Sequence, residues 1–142
     1  MTAYISKQTI LFQHCDPARI VFFPRYFEIL NAVVEEWFDR GIGVNFKKMH
    51  IDREEGIPSV NIKADFYAPS RLGDVVDFAL EVVRIGTSSA EFLVTATCDG
   101  ELRLKIRQTV VHITNKDGKS KPWPDDMRIP MMRYMAKEKA DG

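Results

Sequence analysis

One helical segment limits the folds that this chain can adopt. Between Arg25 and Arg40, polar residues recur every three or four positions, which is the period of an α-helix. These polar residues are Glu28, Asn31, Glu35 and Asp39. Apolar residues cover most of the remaining circumference, and an apolar arc that wide predicts a helix buried on several sides. Pro24 suits the first turn, and Gly41 and Gly43 suit the end of the helix.

Four segments after the helix alternate apolar and polar residues with the period of two that is typical of strands. They cover residues 59–68, 76–82, 90–98 and 102–112, and an earlier strand is expected between Ile5 and Gln13. Short turns join the four later segments, including the hairpin signal Asp99-Gly100, so antiparallel pairing is expected. The sequence therefore predicts an α+β fold. In it, a curled antiparallel sheet of about five strands wraps around one long central helix.

Length, charge and cysteine content narrow the class of protein. The 142 residues suffice for a single domain over 1–142, and equal numbers of basic and acidic residues argue against a nucleic-acid binder. The sequence predicts no membrane association, because it shows no secretory leader and no apolar stretch approaching the roughly 20 residues that span a bilayer. Cys15 and Cys98 lack disulfide or metal-ligand spacing, which indicates a cytoplasmic protein. His50 and His112 also lie on unrelated segments, so no metal site is expected.

A loop that contains Asp16 and Pro17 lies shortly before the predicted helix. The start of a helix offers backbone N–H groups and the positive end of the helix dipole. Such donors can stabilise an oxyanion while a carboxylate acts as nucleophile or general base on a carbonyl compound. Asp16 could also be a turn or helix-capping residue, as the aspartate of most Asp-Pro pairs is.

Residues 16–26, with the sequence Asp-Pro-Ala-Arg-Ile-Val-Phe-Phe-Pro-Arg-Tyr, resemble the active-site segment of hot-dog-fold acyl-CoA thioesterases of the 4-hydroxybenzoyl-CoA thioesterase type. The resemblance covers roughly residues 7–120. It implies a hot-dog fold and hydrolysis of an acyl-CoA thioester, with aroyl-CoA as the leading substrate class and no cofactor. It also implies a homodimer that assembles into a homotetramer. Asp16 matches the catalytic carboxylate, and Phe23 matches the residue whose backbone N–H polarises the thioester carbonyl.

Further residues are candidates for the site. Arg19 replaces the glycine that the family carries after Asp-Pro-Ala, and it could pair with Asp16 or reach a ligand phosphate. His14 is a candidate second acid/base group or a bystander at a strand end. Arg84 lies near the position of a basic cluster that holds CoA phosphates in the family. Ser59 and Asn61, expected together on the polar face of one strand, are candidate substrate contacts across a dimer.

Several alternatives remain open at this point. The basic row on one strand face, Arg103, Lys105 and Arg107, would either be solvated or bind CoA phosphates. A thioesterase for aliphatic acyl-CoA or acyl-carrier-protein substrates would use the same fold. A non-catalytic hot-dog protein would bind acyl-CoA without releasing a thiol. A small interaction module would have no ligand pocket beside the helix start.

Overall fold

The computed structural model describes residues 3–136, and within them it contains two α-helices and seven strands. The helices are α1 (Arg25–Trp37) and α2 (Asp125–Met132). The strands are β1 (Tyr4–Thr9), β2 (Glu55–Gly56), β3 (Ser59–Phe66), β4 (Val75–Ile85), β5 (Ser89–Cys98), β6 (Glu101–Val111) and β7 (Ile113–Thr114). Neither helix is long and apolar enough to cross a membrane.

The main sheet has five strands in the order β1-β4-β5-β6-β3, and every neighbouring pair is antiparallel. A separate two-stranded sheet joins β2 and β7. The hairpin between β5 and β6 turns at Asp99 and Gly100, whose positive φ angles of 50° and 80° match a type I′ turn. The predicted α+β hot-dog architecture, with about five antiparallel strands and one long helix, is confirmed.

Helix α1 supplies one side of the core. Its buried residues are Tyr26, Ile29, Leu30, Val33, Val34 and Trp37. They join a single cluster with alternate residues of β4, β5 and β6. Asn31 and Glu35 remain exposed on the other side. Within one chain the helix is therefore buried on one side only, and the prediction of burial on several sides was wrong. A π-helical turn, Phe38–Ile42, extends the helix, and Gly43 ends it in the left-handed conformation with φ of 88°.

Two details of the strands differ from the sequence prediction. Strand β1 ends at Thr9, and Phe12–His14 forms a 3-10 turn, because the backbone N–H of Leu11 donates to His14 Nδ1 at 2.8 Å. In β3, a bulge separates Ser59 from Asn61. Ser59 pairs with the buried Val110, whereas Asn61 pairs with Thr109, so the bulge places them on opposite faces of the sheet. The prediction that they share one face was wrong.

Strand β3 also differs in burial. It lies at the edge of the sheet, and nearly all of its residues are exposed, including those expected to face a core. Val60, Ile62 and Phe66 are 60%, 41% and 49% exposed. The residues that follow β6 and β7 close the opposite part of the core, where Trp123, Met127 and Met131 are buried. Met127 and Met131 belong to the short helix α2, which ends at Met132.

Candidate active site

The Asp16 loop is a tight turn closed by its own backbone. Cys15 and Val21 form a β-bridge, and the N–H of Asp16 donates to Ile20 O at 3.0 Å. The N–H of Ala18 donates to Asp16 Oδ1 at 2.8 Å, so one carboxylate oxygen orients the turn. Among the described residues, Asp16 Oδ2 has no hydrogen-bond partner. The carboxylate is therefore held in place through one oxygen, and its other oxygen is available for chemistry.

Arg19 occupies the turn in a left-handed conformation, with φ of 68°. Its N–H donates to Asp16 O at 2.9 Å, and its carbonyl accepts a bond from the N–H of Leu72 at 3.1 Å. The turn thus uses the conformation that a glycine adopts freely and an arginine adopts at some cost. The Arg19 side chain is exposed, and no ion pair joins it to Asp16 within residues 3–136.

The backbone N–H of Phe23 is the donor that the start of α1 leaves free. The next three N–H groups are used within the first turn: Arg25 donates to Phe22 O, Tyr26 to Phe23 O and Phe27 to Pro24 O. Pro24 has no N–H, and the N–H of Phe22 donates to His14 O at 2.9 Å. In the part of the chain that the structure describes, the N–H of Phe23 has no acceptor. One donor remains for an oxyanion, where the sequence predicted several.

An apolar cleft of about 330 Å³ lies beside this donor and is called the Phe23 cleft. It is lined by Val21, Phe23, Tyr26, Phe66, Tyr67, Ala68 and Pro69. The rings of Phe23 and Phe66 meet edge to face, with centroids 6.5 Å apart. Tyr26 is almost fully buried, and its hydroxyl accepts a bond from the N–H of Ser70 at 3.3 Å. Asp16 does not line this cleft in the single chain.

A second cleft, of about 630 Å³, lies further along the exposed side of α1 and is called the Gln108 cleft. Its lining includes Asn31, Glu35, Phe46, His50, Ser59 and Gln108. Gln108 is only 3% exposed, and its Nε2 donates to Ser59 Oγ at 2.7 Å. Its Oε1 is buried and has no hydrogen-bond partner within residues 3–136. The sequence signal for Gln108 was its polar side chain at an inward position of β6, where apolar residues alternate.

His14 lies beside the Asp16 loop. Its Nδ1 accepts the N–H of Leu11, which only an unprotonated nitrogen can do. Burial lowers the pKa of His14; the nearby Arg25 also lowers it, and Glu28 acts in the opposite direction. Arg25 and Glu28 form an ion pair at 2.7 Å. His14 is thus held near the loop as a neutral imidazole, and an acid/base role for it stays a prediction.

The predicted basic residues are mostly engaged by carboxylates. Arg103 Nη1 lies 2.8 Å from Asp74 Oδ2, and this contact holds the pKa of Asp74 below its usual range. Arg107 contacts Glu91 at 2.9 Å. Arg84, 62% exposed at its side chain, lies 3.9 Å from the same glutamate. Two of the three cations on β6 are therefore paired with carboxylates, whereas Lys105 on the same strand and Arg84 on β4 are exposed.

His112 belongs to a buried cluster that the sequence did not predict. Its Nε2 lies 3.0 Å from Glu55 Oε1, and its Nδ1 lies 2.8 Å from Lys121 O. Lys121 Nζ donates to Glu55 Oε2 at 2.6 Å, and the Trp123 ring stacks on the imidazole at 5.0 Å. Burial alone would raise the pKa of Glu55, but the hydrogen bonds from Lys121 and His112 hold it below its ordinary value. The cluster fastens β2 to the segment after β7.

The sequence of this chain matches a known protein family. The model of the thioesterase-like superfamily matches residues 10–130. A search of curated protein sequences found no match.

Solved structures are similar across nearly the whole chain. The 1,4-dihydroxy-2-naphthoyl-CoA thioesterase Slr0204 from Synechocystis superposes with a TM-score of 0.83 at 16% identity, covering 92% of this chain and 96% of that one. The gentisyl-coenzyme A thioesterase BH1999 gives a TM-score of 0.80 at 20% identity, with coverages of 90% and 99%. SAV2348 from Staphylococcus aureus, solved in complex with CoA, gives 0.84 at 16% identity, with coverages of 93% and 83%. Identities this low establish the fold alone, but the family model covers most of the sequence, and the chain belongs to the thioesterase-like superfamily.

Proposed function

We propose that this protein hydrolyses an acyl-CoA thioester to the free acid and CoA, and that its substrate is an aroyl-CoA of the kind used by 4-hydroxybenzoyl-CoA thioesterases. The observation that carries the proposal is the unpaired N–H of Phe23 at the start of α1, preceded by a loop that fixes the Asp16 carboxylate through one oxygen. Membership of the thioesterase-like superfamily supports it. The two aroyl-CoA thioesterases of the same fold support the substrate class.

The proposed chemistry uses these two groups. The thioester oxygen accepts a hydrogen bond from the N–H of Phe23, which stabilises the negative charge that develops there. Asp16 Oδ2 then acts in one of two ways. It attacks the carbonyl carbon, forms a mixed anhydride and releases CoA thiolate, after which water cleaves the anhydride. Alternatively, it takes a proton from water as the water oxygen attacks the same carbon, and the C–S bond breaks.

The exposed edge of β3 supports the proposed homodimer. Its apolar residues Val60, Ile62 and Phe66 face solvent in the single chain, and its outer backbone groups are free to pair with another strand. Two copies of β3 that pair antiparallel about a two-fold axis would form one continuous sheet of ten strands. The reversed direction brings the Phe66 end of one copy, which carries Phe23, next to the Ser59 end of the other. Association of two such dimers gives the proposed homotetramer.

The CoA moiety needs cations for its phosphates. Among the candidates from the sequence, Arg19, Arg84 and Lys105 are exposed in the described structure. Binding of CoA by the Staphylococcus aureus relative supports a CoA ester as ligand. Asn61 lies on the outer face of β3, away from the Gln108 cleft, and its contact with substrate stays a prediction.

Release of free thiol across a panel of thioesters tests this function. Benzoyl-CoA and hydroxybenzoyl-CoA should be hydrolysed faster, in kcat/KM, than acetyl-, hexanoyl- and palmitoyl-CoA and than acyl-carrier-protein thioesters. Faster turnover of aliphatic or carrier-protein thioesters would refute aroyl-CoA as the substrate class but would still support thioester hydrolysis as the activity. Binding of CoA esters by calorimetry with no thiol release from any member of the panel would instead establish a non-catalytic acyl-CoA binder.

A further inference from the structure

Gln108 is an exception in the row of inward residues on β6. Its neighbours on the same face, Ile106 and Val110, are fully buried apolar residues. One end of the Gln108 amide is satisfied by Ser59 Oγ, and the bulge in β3 is what turns Ser59 toward it. The other end, Oε1, is buried and has no partner among the described residues. Buried amide oxygens are nearly always hydrogen-bonded, so Gln108 Oε1 is a buried acceptor that no described residue satisfies.

The cleft that Gln108 lines has the chemistry of a site for a neutral, partly apolar group. Its volume of about 630 Å³ lies within the usual range of small-molecule sites, roughly 300–1,000 Å³. The rings of Phe46 and His50 form part of its wall, with centroids 4.8 Å apart. No lysine or arginine is among its lining residues, and Glu35 contributes a carboxylate. Phosphates would therefore be disfavoured there, and an uncharged ring would be favoured.

The position of the cleft relates it to the proposed reaction. It lies between the exposed side of α1 and the inner face of β3, beside the sheet edge that the proposed dimer would pair. Pairing at that edge would close the Gln108 cleft from solvent. It would also bring the start of the partner's α1 helix, where the backbone N–H is unpaired, toward the cleft. A thioester held at that N–H would then direct its acyl group into the Gln108 cleft and leave the CoA phosphates outside.

We propose that the Gln108 cleft binds the acyl group of the substrate and that Gln108 Oε1 accepts a hydrogen bond from a hydroxyl on that group. Gln108 is then the residue that makes the enzyme prefer a hydroxylated acyl group to the unsubstituted one, and Ser59 positions its amide. This inference rests on the proposed function. It goes beyond it because it names the residue and the interaction that select the acyl group.

The hydroxyl preference is measured as the ratio of kcat/KM for each hydroxybenzoyl-CoA isomer to that for benzoyl-CoA. In the wild type, the best isomer should be preferred by at least about fivefold, the effect of a buried hydrogen bond. Gln108→Met keeps the length of the side chain but removes the acceptor, so its ratio should fall to about one. Gln108→Glu keeps acceptor oxygens and should retain the preference. Thr109→Val, on the opposite face of the same strand, is the matched control and should leave the ratio unchanged.

A second pair of variants covers the case in which Gln108→Met does not fold, as judged by thermal unfolding. Ser59→Ala removes the group that orients the amide and should lower the ratio, and Ser59→Thr, which restores a hydroxyl, should recover it. A merely structural role of Ser59 would lower kcat/KM for both substrates equally. An unchanged ratio in folded Gln108→Met, or a wild type without hydroxyl preference, would overturn the proposal.

Binding of neutral amides separates this inference from the proposed activity. Calorimetry with hydroxybenzamide isomers and benzamide requires no turnover. A preference for a hydroxylated amide that disappears in Gln108→Met supports the acyl cleft even if no thioester is hydrolysed, in which case only the proposed activity fails. Hydrolysis of aroyl-CoA without any hydroxyl preference, in rate or in binding, would have the opposite meaning. The proposed activity would then be supported, and the role of Gln108 would be refuted.

Discussion

Replacement of Arg19 by glycine should stabilise the fold. Arg19 has φ of 68°, a conformation that brings the Cβ of an L-residue too close to its own backbone. The strain costs about 1–2 kcal/mol for a residue with a Cβ. Glycine removes it but has more conformational freedom to lose on folding, which costs roughly 0.5–1 kcal/mol. The net gain for Arg19→Gly is therefore about 1 kcal/mol in the free energy of unfolding.

Thermal and urea denaturation measure this gain. An unfolding entropy of roughly 2.1 cal/mol/K per residue converts 1 kcal/mol into a rise in Tm of about 3 °C for a chain of this length. Arg19→Ala is the matched control, because it removes the same charged side chain and keeps a Cβ in the strained position. Its Tm should stay close to that of the wild type.

The difference in Tm between Arg19→Gly and Arg19→Ala tests whether Arg19 is strained in solution. A Tm of Arg19→Gly equal to or below that of Arg19→Ala would refute the prediction, since the backbone strain at this turn would then be absent in solution. The turn would no longer hold Asp16 through the bonds from Ala18 and Arg19, and the proposed presentation of the carboxylate would lose its structural basis.

Two further predictions concern the Glu55 cluster and the edge of β3. Because the folded-state pKa of Glu55 lies below its ordinary value, the ionised carboxylate stabilises the fold at neutral pH and loses this contribution as the pH falls below the usual glutamate range. Urea denaturation should show the wild type more stable than Glu55→Gln at pH 7, with the difference shrinking toward pH 3; a constant difference would argue against the linkage. Ile62→Lys, on the exposed edge of β3, should convert the proposed dimer to monomer in light scattering, and Val75→Lys, on β4, should not. A dimer that persists in Ile62→Lys would place the interface elsewhere.

The sequence predicted those elements in which buried and exposed residues alternate with a regular period. Polar residues at a spacing of three and four marked the open side of α1, and alternation marked β4, β5 and β6, because burial repeats with the geometry of each element. Asp99 and Gly100 marked the hairpin because few residues adopt positive φ readily. The end of β1 was missed because a local bond from Leu11 to His14 competes with the strand ladder.

The candidate site was predictable in its residue types and less so in its geometry. Asp16 and Phe23 stand out by motif, but the single free N–H at Phe23 depends on first-turn bonds that no residue pattern reveals. The face occupied by Ser59 depends on a bulge, and a shift of one residue moves a side chain to the other side of the sheet. Gln108 and His112 were visible as polar exceptions in an apolar alternation. Their partners come from distant segments, so only the fold shows what they contact.

The role of Asp16 is tested most directly by the rate of CoA release from the best aroyl-CoA substrate. Asp16→Asn keeps the shape of the side chain and its bond to the N–H of Ala18 but removes the nucleophile or base, so kcat should fall by about 10² or more. Asp77→Asn, which removes a surface carboxylate paired with Lys7, is the matched control and should leave kcat unchanged. An Asp16→Asn variant that turns over as fast as the wild type would contradict the proposed mechanism.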